Sequence, residues 1–282
     1  MTYKNTISEL KALISNDFEN RLIEAAFKNL EYSANVLRFN NFAYSIRELS
    51  RHILYSLAPN EEVLQCSWYR NLIADSTHGI TRGQRIKYAI QGGLNDQILT
   101  NQVIDIHYIK KAQKSLTDSI EILSKYTHVN PDTFEISQTE IDDLVSKVIS
   151  SLKLFINTIN ETRKYIINNI EDKLTNELIE HTLWEVKDDI DILATHHNIE
   201  EIEVSKYYIN KIGAKELDIL AEGTVKVRLQ WGSDGDLRRG DGAEMNTSFP
   251  FESSLNAKFN KKIQYSKIEL DNFDVNTDSW YE

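Results

Sequence analysis

The stretch NNFAYSIRELSRHILYSL, Asn40 to Leu57, decides how the first half of the chain is read. Apolar residues recur at Phe42, Ile46, Leu49, Ile53, Leu54 and Leu57, a spacing that lays one apolar stripe along a helix. Pro59 ends the segment, because proline cannot continue a helix interior. Arg47 and Arg51 are four apart and share a face, and His52 stands one step round from Arg51 at its border. A buried stripe therefore carries a cationic ridge on its flank. Arg47 and His52 make an Arg-x4-His spacing.

That pair suits a specific chemistry. RNA carries its own nucleophile, the 2′-hydroxyl. Cleaving the strand needs a proton acceptor or donor and a group that neutralises the developing charge on phosphorus. Histidine titrates near neutrality, and arginine presents a planar fork to phosphate oxygens. No metal is required for this route. The plainer reading is a helix whose arginines pair with Glu48 or neighbouring acids, with His52 half-buried.

Composition sets the frame around this helix. A chain of 282 residues suggests two domains and sustains a sizeable core. The single cysteine, Cys66, excludes an internal disulfide, fits a reducing compartment and reads as core rather than nucleophile. The start, MTYKNTISELKAL, lacks a basic segment followed by an apolar run. No stretch is long enough to span a membrane, so a cytoplasmic protein with no membrane partner is expected. The net charge of −11 argues against a general nucleic-acid coat. Charge is uneven, however: Val36 to Asn130 holds 11 Lys and Arg against 8 Asp and Glu, while the remainder holds 21 against 35. The Arg47 segment thus lies in the one mildly basic region.

Three prolines and ten glycines in the whole chain predict long helices. Residues 5–35 read as one or two amphipathic helices, with Leu10, Leu13 and Ile14 on the apolar side. Thr81 opens a helix over TRGQRIKYAIQGGL, with Gln84 placed for a capping box and Gly92-Gly93 at its end. Arg82 and Arg85 fall in its first turn, where the helix dipole disfavours cations, so a phosphate is their natural complement; solvated surface arginines are the plain alternative. Residues 101–126 form a further helix, and His128 follows at the junction before Pro131, placed to face the Arg47 helix or to cap a helix end.

From Ser137 to about His196 the chain reads as helical. Ser137 and Glu140 suggest a second capping box. Ile141, Val145, Val148, Leu152, Phe155 and Ile159 form a heptad-like seam, which Leu174, Leu178, Val186, Ile190 and Leu193 continue on a second helix. An antiparallel helical hairpin or a dimerisation arm fits this pattern, and an ordinary helical core fits it equally. Near residue 200 the character changes. Residues 225–231 alternate as a strand, 243–251 read as a short strand, and 261–270 alternate weakly as another. Between the first two lies GSDGDLRRGDG. Asp234, Asp236 and Asp241 there are either a hard-cation site or a polar turn balanced by Arg238 and Arg239. The expected fold class is α+β: a helical N-terminal bundle over 1–132, a helical hairpin or dimerisation arm over 133–200, and a small β-rich domain over 201–282.

Several blocks together resemble the predicted prokaryotic-PIWI-associating nucleases: RELSRHILYSLAPNEEV (47–63), TRGQRIKYAIQGGLND (81–96), LSKYTHV (123–129), GTVKVRLQWGSDGDLRRGDG (223–242), SFPF (248–251) and the closing DSWYE. The first half also resembles the HEPN ribonucleases, compact helical domains with an Arg-x4–6-His motif that are often dimeric. The resemblance implies Arg47 as phosphate or transition-state stabiliser and His52 as acid–base or positioning residue, in a site formed across a homodimer. It implies an RNA substrate, no cofactor, and an antiviral-defence or toxin setting with a defence-system partner protein. Many HEPN members place Asn or Asp directly after the arginine, whereas this chain has Glu48, a carboxylate able to orient or neutralise Arg47. Arg51, Arg82, Arg85 and His128 are added as RNA-phosphate ligands on spacing alone. The rival functions are a non-catalytic sensor or scaffold subunit, and a metal-dependent nuclease built on Asp234, Asp236 and Asp241.

Overall fold

In the computed structural model of the chain, the Asn40–Leu57 stretch lies within a helix running from Arg38 to Leu57. The structure describes residues 7, 8, 11, 16–74, 76, 77, 79–100, 106–182, 188–260 and 262–281. The expected apolar positions Leu10, Leu13, Ile14 and Val186, and residues 101–105 of an expected helix, lie outside these.

The helices are α1 (Asp17–Glu31), α2 (Arg38–Leu57), α3 (Asn60–Gln65), α4 (Arg82–Gln91), α5 (Asp96–Thr100), α6 (Ile106–Tyr126), α7 (Gln138–Thr182) and α8 (Asp188–Asp191). Strands β1 (His196–Ile212) and β2 (Glu216–Trp231) follow. The short helix α9 (Asp234–Arg239) then leads to β3 (Ala243–Lys258) and β4 (Lys267–Val275). The fold class is α+β. The chain divides into two compact units after Thr162, within α7.

In the first unit α2 is the central helix. Its expected stripe is buried: Phe42 and Ile46 are at most 1% exposed, and Leu49, Ile53 and Leu54 join them in the core. Phe42 meets Phe27 of α1 edge-on at 5.6 Å, and Phe39 meets Tyr126 of α6 at 4.9 Å. Asn40 is buried beside these rings. Its Nδ2 donates to the carbonyls of Tyr126 and Thr133, at 2.9 and 3.0 Å, which ties the start of α2 to the turn after α6. The helix stops at Leu57 before Pro59, as the proline requires. α4 begins with the expected capping box: Thr81 Oγ1 accepts from Gln84 N at 3.2 Å, and Gln84 Oε1 accepts from Thr81 N at 2.8 Å. Gly92 closes it at φ 55°, a left-handed conformation that favours glycine.

Two expectations for residues 137–196 are corrected. Among the described residues no helical hairpin occurs: Gln138 to Thr182 is one continuous helix of 45 residues. No glycine or proline occurs between Pro131 and Gly213, so no residue there forces a turn. The seam from Ile141 to Ile159, with Ile166, Ile170, Leu174 and Leu178 beyond it, is buried along this single helix. The second capping box is half-formed. Ser137 Oγ accepts from Glu140 N, but the Glu140 carboxylate accepts from the Tyr126 hydroxyl at 2.9 Å instead.

The second unit holds a four-stranded antiparallel meander in the order β1-β2-β3-β4. Leu217, Ile219, Ala221, Val225, Val227 and Leu229 alternate along β2 and are fully buried. The strands are longer than the sequence suggested. β2 and β3 pair from Glu216↔Lys258 to Trp231↔Ala243. β4 starts at Lys267, after a turn of 3-10 helix at Ile263–Tyr265. β1, which the sequence reading did not name, begins where the expected helical stretch ends, and the Thr175 and Tyr207 hydroxyls, 2.8 Å apart, join it to α7. At Gly223 a Cβ would meet the Glu203 carbonyl oxygen at 2.2 Å, so only glycine allows β1 and β2 to approach there.

Candidate functional site

α2 and α4 bring four arginines to one cleft of about 210 Å³: Arg47 and Arg51 from the first helix, Arg82 and Arg85 from the second. The spacing of each pair explains the meeting. Residues four apart on α2 and three apart on α4 each stay on one helix face. Leu54 and Ile120 line the cleft's apolar side. The volume falls below the ~300–1,000 Å³ usual for a small-molecule pocket and suits a group the size of a phosphodiester.

Charge in this cleft is unbalanced. One carboxylate, Glu48, lines it beside four guanidinium groups. Glu48 Oε2 accepts from Arg51 Nε at 2.9 Å, and Glu48 Oε1 lies 3.7 Å from Arg47 Nη1. Both pairs are partly solvated, and such pairs hold their partners by only about 0–1 kcal/mol, so they yield readily to a stronger anion. Arg82 has no hydrogen-bond or ion-pair partner among the described residues. Arg85 differs: it is 5% exposed, and its two terminal nitrogens are hydrogen-bonded to Ala58 and Asn60.

Neither of the two histidines expected at the site is among the residues lining the cleft. His52 is half-buried and is not among the residues lining the cleft. Its ring meets Phe18 edge-on at 5.2 Å. It still touches the arginine ridge, because Arg51 Nη2 is 3.4 Å from His52 Nε2. A guanidinium only donates, so Nε2 is the accepting nitrogen in that pair. His128 is exposed, and its carbonyl accepts from Thr133 Oγ1 at 2.8 Å in the turn that Asn40 anchors. That turn lies at the opposite end of α2 from the cleft.

The acidic glycine loop contains a short capped helix. Ser233 N and Oγ both donate to Asp236 Oδ2 at 2.7 Å, and Arg239 donates to Asp236 Oδ1. The Ser233 bonds come first, with Arg239 adding to them, in holding the Asp236 carboxyl below its ordinary value. Arg239 also faces Asp241 at 3.6 Å, and Gln230 donates to Asp234. Among the described residues no group of three or more His, Cys, Asp or Glu side chains is placed to hold a metal ion. Cys66 is buried at 5% exposure, and burial, with the Glu62 carboxylate adding to it, pushes its thiol up to about 12. It is a core residue rather than a ready nucleophile.

Tyr55 was not singled out from the sequence, yet it lines the cleft four residues after Arg51. The signal available was its place on the Arg47–Arg51 face of the same helix.

Comparison with known proteins assigns the chain. A family model described as predicted pPIWI-associating nuclease matches residues 11–152, and a second model of the same description matches 159–281. The chain belongs to the predicted pPIWI-associating nuclease family. The gap between the two matched stretches falls within α7, as does the division between the compact units. No curated protein and no solved structure matches it. Among the described residues no helix is long and apolar enough to cross a membrane.

Proposed function

We propose that the protein is a metal-independent endoribonuclease of the HEPN type that works with a pPIWI partner in prokaryotic defence. The observation that carries this reading is the cleft with four arginines and one carboxylate. Arg47, Arg51 and Arg82 hold the scissile phosphate. The 2′-oxygen of the preceding ribose then bonds to phosphorus and the bond to the 5′-oxygen breaks. The products are a 2′,3′-cyclic phosphate and a 5′-hydroxyl. The 2′-hydroxyl proton leaves to a base, the departing 5′-oxygen gains one, and the arginines neutralise the added charge on phosphorus. His52, joined to the ridge through Arg51, is the acid–base or positioning residue, and a homodimer brings a second copy's motif to complete the site.

The experiment is RNA cleavage by the purified chain, with and without EDTA, beside Arg47→Ala and His52→Ala. Cleavage that survives EDTA and falls roughly 10²–10³-fold in both variants is expected. Full activity in either variant removes that residue's role, and loss of cleavage on adding EDTA removes metal independence.

Glu48 favours a second reading. Its carboxylate lies against both Arg47 and Arg51, the position of a built-in competitor for phosphate. On this reading the chain is a non-catalytic sensor or scaffold subunit of the defence complex. It then binds RNA without cutting it under any condition.

A further inference from the structure

Arg85 is a buried cation whose bonds are already spent. Nη1 donates to the Ala58 carbonyl at 2.6 Å and Nη2 to Asn60 Oδ1 at 2.5 Å. Those two nitrogens are not free to fork onto a phosphate. The guanidinium carbon lies 3.7 Å from the centroid of the Tyr55 ring. Tyr55 nonetheless remains 51% exposed and lines the arginine cleft. One side of the ring thus rests on a fixed cation while the residue stays open to solvent. The cation–π interaction restrains the ring, so a flat ligand laid against it costs little further ordering. Tyr44, Arg51 and Tyr55 also fall on one row of α2, seven and then four residues apart, and Tyr44 is 56% exposed. The row spans about 16 Å.

Phosphate binding alone does not distinguish a single strand from a duplex. An aromatic ring beside the phosphate does, because a base must be unpaired to stack on it. We infer that Tyr55, held by Arg85, is a nucleobase-stacking platform, and that the cleft takes single-stranded RNA with an unpaired base next to the phosphate held by the arginines. This rests on the RNA reading above and adds the strandedness of the substrate. Every base has a π-face, so the platform selects single strands without selecting sequence. Tyr44 begins the same row and is the secondary stacking residue.

The test uses the full chain and a labelled 2′-O-methyl oligonucleotide, which binds but cannot undergo 2′-hydroxyl attack. Anisotropy gives the Kd for wild type, Tyr55→Leu and Tyr55→Phe. Each protein meets the base-bearing strand, an abasic strand with the same phosphates, and a duplex of equal length. Tyr55→Leu is expected to bind the base-bearing strand roughly ten-fold more weakly, with Tyr55→Phe within about two-fold of wild type. The abasic strand is expected to bind all three proteins alike, and the duplex more weakly than the single strand. Neither hydrogen bond of Arg85 involves Tyr55, and Tyr55→Phe controls for an altered cleft. Equal binding of the base-bearing strand by wild type and Tyr55→Leu overturns the platform. An equal loss on the abasic strand, a preference for duplex, or no binding by wild type also overturns it. If binding follows the expected pattern and natural RNA is left uncut, the platform stands and the nuclease reading falls.

Discussion

The arginine cleft on α2 and α4 and the loop around α9 are both clusters of arginines and carboxylates, yet they are built to opposite ends. In the loop, Asp236 is filled by Ser233 and Arg239, Asp241 faces Arg239, and Asp234 accepts from Gln230. Its charges serve one another and shape a turn between β2 and β3. In the cleft, four guanidinium groups face one carboxylate, and Arg82 has no partner among the described residues. Charges that close on one another act as structure. A surplus left facing a cleft marks a place where an ion from outside completes the balance.

The largest expected effect comes from inverting that surplus. Arg51→Glu should weaken binding of single-stranded RNA by roughly 100-fold at low salt, because it replaces an attraction for phosphate with a repulsion. The plot of log Kd against log salt reports on the same arginines. Removing Arg47 or Arg82 singly should flatten its slope by about 0.7 for each phosphate no longer neutralised. An unchanged slope would mean that the cleft is not where the strand lies.

A smaller effect is expected in the loop, on stability rather than binding. Asp236→Ala removes the acceptor for Ser233 and should lower the thermal midpoint by about 2–3 °C, with RNA affinity unchanged. A loss of affinity would break the contrast between the two clusters. Glu48→Gln should sharpen it: with the one carboxylate neutralised, affinity should rise about three-fold.

The smallest effect is one of pH. The Asp236 carboxyl is held below its ordinary value of 3.8, so its contribution is fully present above that value. It is lost as pH falls through the folded value. Amide hydrogen exchange in α9 should therefore show falling protection below about pH 4. Protection that instead fell on raising the pH would contradict the capping role.

How legible these features were in the sequence depended on how local their causes are. The α2 stripe could be read because Phe42, Ile46, Leu49, Ile53 and Leu54 keep helical spacing without interruption. The Thr81–Gln84 cap could be read because both partners lie within one turn. β1 could not. Its register shifts at Ile199/Glu201, Val204/Lys206 and Ile209/Lys211, and each shift breaks the two-residue alternation that marks a strand. The hairpin expected after Ile159 failed for another reason. A slip in heptad phase resembles a turn in sequence, but nothing between Gln138 and Thr182 stops a helix. In the cleft, Arg47, Arg51, Arg82 and Arg85 were all named from spacing, while His52 and His128 were placed with them and lie outside its lining. Arg47 and His52 are five apart, nearly half a turn round the helix, so the motif's two ends point to different neighbours.

By itself the sequence determined which segments are helical around Arg47, where α2 ends, where α4 begins and ends, and that the basic charge collects in the first half. Those properties follow from spacing, capping and proline, which act over a few residues. Only the tertiary structure decided that α4 faces α2, that Arg85 spends its two terminal nitrogens on Ala58 and Asn60 and packs on Tyr55 while Arg82 has no partner among the described residues, and that the aspartates of the loop already have partners. Pairing between residues 25 to 40 positions apart depends on packing, and a charge is surplus or spent only once its neighbours are known.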